Sequence, residues 1–189
     1  MPPKVKTTRE MIVEAGVDVV RDAGPDALTM RAVAARLGCS TQPVLSNFPT
    51  SAQLKAAVYE RADQIHTSYL MRGAANGENP LLAIGLAYVR FAREEPNLFK
   101  LLFQSDGLGS ASLAGLVAAD ELAPIVSLIA SEAGIDEDAA RDAFACIELV
   151  AHGYASFLAN NSMDYDESFC ARALEAAFVG AVGVARGEL

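Results

Sequence analysis

The residue types that perform chemistry in enzymes are few in this sequence, and they are not spaced as a catalytic site requires. Only two histidines, His66 and His152, could serve as bases near neutral pH. The chain has no Gly-x-Ser-x-Gly elbow, no Gly-x-Gly-x-x-Gly turn and no His-Glu-x-x-His helix. We therefore expect a protein that is not an enzyme and that uses no cofactor.

The three cysteines also lack a pattern typical of chemistry. Cys39, Cys146 and Cys170 are odd in number, far apart and without the spacing of metal ligands. We predict neither a disulfide nor a metal site, and we expect the three thiols to be buried as small hydrophobic groups.

Composition is typical of a globular protein of one large or two small domains, because 52% of the 189 residues are hydrophobic and 21% are charged. No apolar run approaches the roughly 20 residues that cross a bilayer, and the N-terminus does not resemble a signal peptide. We expect a cytoplasmic protein without membrane contact.

The net charge of -9 is unevenly distributed along the chain. Residues 1–60 carry a net charge of +1, whereas residues 61–189 carry a net charge of -10. Any surface that faces phosphate groups is therefore expected in the first third of the chain.

Helical periodicity runs through the whole sequence and predicts an all-α fold of about nine helices. Gly24 and Pro25 end the first helix, Thr29 caps the second, and Gly38 ends it as a left-handed residue. Pro96 interrupts the helical pattern between the fifth and sixth helices. The predicted helices cover the segment from Thr7 or Thr8 to 23, residues 30–37, 40–47, 51–72, 80–95, 97–104, 112–133, 136–158 and, from Asp164 or Asp166, the segment up to 186.

The second and third helices, joined by residues 37–40, have the proportions of a helix-turn-helix. A positioning helix is followed by a tight turn with glycine and by a short helix that fits the major groove of DNA. The apolar residues of this segment are expected to form only a three-helix core. They are Val33, Ala34, Leu37, Val44 and Phe48.

The stretch LTMRAVAARLGCSTQPVLSNFPTSAQL, residues 28–54, resembles the DNA-binding signature of the TetR family of transcription regulators. The resemblance implies a helix-turn-helix DNA-binding domain over residues 1–55 and a ligand-binding and dimerisation domain over residues 56–189. It also implies three partners: double-stranded operator DNA, a small-molecule effector and a second copy of the chain.

Family roles can be transferred to matching positions of this stretch. They place Thr29 and Arg31 against phosphate or a base edge, and residues 41–43 against bases. A glutamine amide such as that of Gln42 pairs with adenine, and a proline ring such as that of Pro43 contacts a thymine methyl group. The predicted DNA-binding residues are Lys4, Lys6, Thr29, Arg31, Ser40, Thr41, Gln42, Pro43, Leu45, Asn47 and Ser51.

Two of these residues, Leu45 and Ser51, depart from the family pattern. Leu45, Asn47 and Ser51 stand where Tyr, His and Lys are common, and those residues usually hold phosphates. Leucine has no hydrogen-bond donor and serine has no charge, so we expect fewer phosphate contacts and a weaker salt dependence. Lys4, Lys6 and Arg9 are candidates to compensate.

The run YVRFAREEPNLFKLLF, residues 88–103, and the later LVAHGY, residues 149–154, are similar to a TetR C-terminal domain named for a Trp, His and Gly pattern. Glu148 occupies the position expected for the Trp. His152 is either a hydrogen-bonded core residue or a ligand contact. Because the family binds inducers in this domain, aromatic and amphipathic residues are candidate pocket walls. They are His66, Tyr69, Tyr88, Phe91, Phe99, Phe103, His152 and Phe157.

Small residues of the last helix predict close packing, either with a second copy of the chain in a four-helix interface or within one chain. The predicted interface residues are Phe144, Ile147, Ala151, Tyr154, Ala173, Ala177, Gly180 and Ala181. The functional hypothesis is a ligand-responsive regulator, a repressor that binds a palindromic operator as a dimer and is released by a small apolar or amphipathic effector. The alternative is a helical adaptor without sequence-specific DNA binding.

Overall fold

The computed structural model describes residues 7–75, 79–105 and 119–188, and these residues form nine α-helices and no strand. The predicted all-α fold is confirmed. Two short 3₁₀ turns, Pro25–Ala27 and Asp120–Leu122, precede the second and seventh α-helices. The helices are α1 (Arg9–Ala23), α2 (Met30–Arg36), α3 (Thr41–Asn47), α4 (Ser51–Ala75), α5 (Pro80–Glu94), α6 (Pro96–Phe103), α7 (Ala123–Ala133), α8 (Glu137–Asn160) and α9 (Glu167–Ala185).

Side-chain caps fix the starts of several helices. Thr8 accepts a hydrogen bond from the backbone N of Met11 at 3.3 Å, and Asp136 and Asp166 accept comparable bonds at 2.8 and 2.9 Å. These bonds satisfy amides that the first turn of a helix leaves unpaired. For the seventh predicted helix, residues 112–118 lie outside the described part of the chain, and α7 begins at Ala123.

The chain divides into two compact units. The first unit contains residues 1–67 and 95–108, and the second contains residues 68–94 and 109–189. The division falls inside α4 and again at Glu95, and α6 packs on α1 within the first unit. The functional boundary at residue 55 stays a prediction.

In the first unit, α1 packs on α2 and α6, and α2 packs on α3. Arg21 of α1 pairs with Glu95 at 3.0 Å, and the Asn97 side chain donates to the Arg21 carbonyl at 2.8 Å. Gly16 allows α1 to approach α4, since a Cβ atom there would lie 2.5 Å from Val58 Cγ2. The fully or almost fully buried side chains include Ile12, Val17, Val20, Leu28, Val33, Val44, Phe48, Leu54 and Val58.

In the second unit, α8 packs against α5, α7 and α9. Its core residues include Phe91, Val126, Ile129, Phe144 and Leu174. By length and composition alone α9 could cross a membrane, whereas the sequence analysis expected no segment of this kind. Only 22% of its apolar window is buried, so α9 carries an exposed apolar surface.

Candidate functional site

A glycine turn sets the direction of α3 relative to α2. Gly38 has φ +64°, and its N donates to the Ala35 carbonyl at 3.1 Å while the N of Cys39 donates to Ala34 at 3.0 Å. This pair of bonds is the Schellman arrangement, in which glycine adopts the left-handed conformation without steric strain. The turn that the sequence predicts at Gly38 is therefore present, with α3 following it after two residues.

The outer surface of α3 is formed by the residues that sequence analysis assigned to DNA. Thr41, Gln42 and Leu45 are exposed, while Val44 on the opposite side is fully buried. Ser40 occupies the N-cap position, but its side chain makes no capping hydrogen bond. The structure thus brings Ser40, Thr41, Gln42 and Leu45 together on one exposed surface.

Pro43 and Asn47 are half-buried at the edge of this surface. The Asn47 amide donates to the Pro43 carbonyl at 2.9 Å, and Arg9 donates to the Asn47 carbonyl at 3.1 Å. The Arg9 guanidinium also lies 4.0 Å from the centre of the buried Phe48 ring. Asn47 and Arg9 therefore help to hold the end of α3, which the sequence did not predict.

Three further predicted DNA contacts lie at helix starts. Thr29 caps α2 by accepting from Ala32 N at 3.1 Å, and Arg31 beside it is exposed. Ser51 is exposed at the start of α4, where Thr50 rather than Ser51 accepts the capping bond from Gln53 N at 3.2 Å. Lys4 and Lys6 lie outside the described residues.

Some cationic side chains of the first unit form ion pairs and others do not. Arg36 pairs with Asp18 and Asp22, and Arg21 pairs with Glu95. Within the described part of this unit, Arg31 and Lys55 are exposed and form no ion pair. Lys55 lies one helical turn after Ser51 on the same side of α4, and the sequence analysis did not name it among the candidate DNA-binding residues.

The eight predicted pocket residues are divided between the two units, and their role as pocket walls stays a prediction. In the first unit, the Phe103 ring lies 5.1 Å from the rings of both His66 and Phe99. In the second unit, Tyr69 and Phe91 pack edge to face at 5.5 Å, and the Tyr69 hydroxyl donates to Glu94 at 2.6 Å. Phe157 is 58% exposed, which does not fit the wall of an interior cavity.

Tyr88, Glu148 and His152 form a hydrogen-bonded cluster between α5 and α8. The Tyr88 hydroxyl lies 2.9 Å from His152 Nδ1 and is also hydrogen-bonded to Glu148. Burial raises the pKa of Glu148 to about 6, although the bond from Tyr88 favours the ionised form, and burial lowers the pKa of His152. The carboxyl at the expected Trp position is therefore accommodated by a tyrosine, and His152 is a hydrogen-bonded residue of this helix interface.

A separate apolar cavity of about 220 Å³ lies in the second unit among α5, α7, α8 and α9. None of the eight predicted pocket residues lines it. Glu132 and Glu175 are the charged groups among its described lining residues, and both are exposed. The apolar lining consists of Leu81, Leu82, Gly85, Ile147, Leu174, Phe178 and Val179.

Three residues predicted for the dimer interface belong instead to the core of the second unit. Phe144, Ile147 and Ala151 are at most 8% exposed, because this stripe of α8 faces its own neighbouring helices. Tyr154 is half-buried, and its hydroxyl accepts from the N of Asp166 at 3.0 Å. Ala173, Ala177, Gly180 and Ala181 are half-buried on α9.

The opposite stripe of α8 is exposed and also apolar. Leu149 is 60% exposed and Phe157 is 58% exposed, and α9 adds Phe169 at 53% and Val184 at 67%. Cys146 is exposed on the same stripe of α8, whereas Cys170 is buried and Cys39 is half-buried. The expectation that all three thiols are buried is therefore wrong. We name these residues the outer apolar face: Cys146, Leu149, Val150, Gly153 and Phe157 of α8 with Phe169, Ala173, Ala176, Gly180 and Val184 of α9.

Comparison with known proteins agrees with the resemblance seen in the sequence. A family model described as tetracyclin repressor-like, C-terminal domain, matches residues 81–181, more than half of the chain. The crystal structure of a TetR-like transcriptional regulator from Rhodococcus sp. RHA1 is similar at 19% identity, with a TM-score of 0.67, over 97% of this chain and 99% of that chain. No curated protein matches the sequence. The predicted family is confirmed: the chain belongs to the TetR-like family of ligand-responsive transcriptional regulators.

Proposed function

We propose that this chain is a cytoplasmic repressor that binds a palindromic operator as a homodimer and leaves it when a small apolar or amphipathic effector binds. The observation that carries the proposal is the exposed outer surface of α3, with Thr41 and Gln42 directly after the Gly38 turn. A short helix with free polar groups on its outer surface fits the major groove, where base edges differ in donors and acceptors.

On this proposal, Gln42 reads a base by pairing its amide with adenine, and Arg31 binds a phosphate or a neighbouring base edge. Lys55 and the Ser51 hydroxyl contact the phosphate backbone at the start of α4. A twofold dimer presents two copies of α3 to successive major grooves about 34 to 36 Å apart. Such spacing selects operators whose half-sites are related by the same symmetry.

The outer apolar face supports the dimer. Isolated apolar side chains are common on protein surfaces, but exposed apolar stripes on two helices that pack together indicate a partner. Gly153 and Gly180 add to the argument, because no other part of the described chain approaches the position of a Cβ atom at either residue. Glycine inside a helix costs roughly 1 kcal/mol relative to alanine, and close packing of a second copy gives a reason for both glycines.

The apolar cavity of the second unit is our candidate effector site. Its apolar walls suit a small apolar or amphipathic molecule, and its polar groups at Asn79, Glu132 and Glu175 would orient that molecule. The helix α4 has residues in both units and is the candidate element for transmitting the signal. A hundredfold loss of operator affinity requires about 2.7 kcal/mol of coupling, which is within the usual range.

Selection of binding sequences from random duplex DNA tests the DNA-binding function. We expect enrichment of a palindromic sequence, and we expect R31A and Q42A each to weaken binding to it by about 1 to 3 kcal/mol. The matched control is Q64A, which removes the same side-chain type from an exposed position on α4. It should leave binding unchanged.

The adaptor hypothesis predicts a different result from the same experiment. A helical adaptor would enrich no sequence, and R31A and Q42A would keep its fold and its other interactions. Recovery of random sequences by a correctly folded dimer would therefore overturn the proposed function.

A further inference from the structure

Leu45 is an apolar side chain at the centre of the outer surface of α3. It is 41% exposed and lies on the same side of the helix as Thr41, one turn earlier, and beside Gln42. The residues of α3, TQPVLSN, include no charged side chain. The exposed middle of α3 is therefore neutral and partly apolar.

The polar residues after Leu45 donate hydrogen bonds within their own helix. The Ser46 hydroxyl donates to the Gln42 carbonyl at 2.9 Å, and the Asn47 amide donates to the Pro43 carbonyl at 2.9 Å. These bonds hold Ser46 and Asn47 along the helix instead of extending their donors outward. Leu45 is left as the longest side chain that projects from the second half of α3.

We propose that Leu45 is a specificity-determining residue that contacts the C5 methyl group of a thymine in each half-site. This inference rests on the proposed function, because it requires α3 to lie in the major groove. The thymine methyl is an apolar group in that groove, whereas cytosine presents an amino donor to the same groove. Leu45 therefore favours a T·A pair over a C·G pair near the base pair read by Gln42.

Deoxyuridine gives a direct test, because it removes the thymine methyl and keeps the base pairing. In the operator selected by the wild-type protein, each symmetric pair of thymines is replaced in turn. Covering one methyl group contributes about 0.8 kcal/mol, so we expect one replacement to weaken binding about fourfold per half-site. In L45A the same replacement should have no effect.

The control is M11A, which shortens an apolar side chain of similar exposure, 39%, on α1. M11A should retain the deoxyuridine effect of the wild-type protein. Leu45 is exposed and its truncation should leave the first unit folded, which circular dichroism checks.

Two results overturn the assignment of Leu45 while leaving the proposed function intact. In one, a palindromic operator is selected but no deoxyuridine replacement weakens binding. In the other, the deoxyuridine effect is the same in L45A as in wild type, which would assign the methyl contact to another residue such as Thr41 or Pro43. Failure to select any operator would contradict both the proposed function and this inference.

Discussion

The two units expose surfaces of opposite character. The first unit exposes mostly polar side chains and Leu45 on α3 and buries the apolar side of that helix, whereas the second exposes apolar stripes on α8 and α9. A helix with one apolar stripe can be oriented from sequence, because only that stripe belongs in the core. A helix that is apolar on opposite sides, such as α8, leaves two orientations open.

The largest effect should come from adding charge to the outer apolar face. F157D places a carboxylate where we propose that a second chain packs, and burial of an unpaired charge is strongly unfavourable. We expect a monomer by light scattering and a loss of operator affinity on the order of 1000-fold, because the two half-sites are no longer bound together.

The matched control is M71D, which changes another exposed apolar residue of the second unit, 51% exposed on α4. M71D should remain dimeric. If F157D also remains dimeric at the same concentration, the outer apolar face is not the dimer interface. The exposed apolar residues of the second unit would then have no role in dimerisation.

Sequence reasoning succeeded where capping and turn residues determine local structure. Thr29 and Asp136 cap helices as predicted, Thr8 and Asp166 are the caps among the two alternatives that the sequence offered at each of those helices, and Gly38 forms the turn before α3. Sequence reasoning assigned the buried stripe of α8 to the dimer interface. Helical periodicity finds both apolar stripes of α8 but does not show which of them faces the core. Sequence reasoning selected candidate pocket residues by residue type. The apolar cavity of the second unit depends instead on how four separate helices pack together, which the sequence does not encode locally.

Gly16 and Gly180 differ in whether a neighbouring residue of the same chain occupies the space of a Cβ atom. G16A should lower the free energy of unfolding by about 1 to 3 kcal/mol, since the new Cβ would overlap Val58 Cγ2 at 2.5 Å. G180A has free space within the chain and should stabilise an isolated subunit by roughly 0.5 to 1 kcal/mol. Urea denaturation in an F157D background measures both values. If G16A and G180A changed the free energy of unfolding equally, Gly16 and Gly180 would not differ in packing as we propose.

Stability should also respond to pH with opposite sign at two buried groups. Burial lowers the pKa of His66, in the first unit, to about 4, so the stability present above pH 6.5 is lost as pH falls toward 4. We expect a loss of about 2 kcal/mol between pH 7 and pH 5 from this group. Glu148, in the second unit, has a pKa raised to about 6, so it adds stability as pH falls from 6 to 4.5, and the lowered pKa of His152 opposes it.

Denaturation of wild type and H66L at pH 7 and pH 5 isolates the His66 contribution. The difference in stability between the two proteins should change by about 2 kcal/mol over this range. A difference that is independent of pH would mean that His66 is not the group responsible.

The smallest effect should come from adding a cation beside the proposed phosphate contacts of the first unit. S51K places a cation, as is common in the family, one helical turn before the exposed Lys55. We expect tighter operator binding and a steeper salt dependence, by about one unit in the slope of log K against log salt for each half-site. Titrations between low and moderate salt measure the slope, with S68K on a distant part of α4 as the control. An unchanged slope in S51K would place the start of α4 away from the DNA backbone.

The central claim is that the outer surface of α3 reads DNA sequence, and a change of specificity tests it most directly. Selection from random duplex DNA is carried out with wild type and with Q42E, because a glutamate accepts a hydrogen bond from cytosine where glutamine pairs with adenine. The account predicts two palindromes that differ at one symmetric pair of positions, with adenine replaced by cytosine. The same palindrome from both proteins would contradict it.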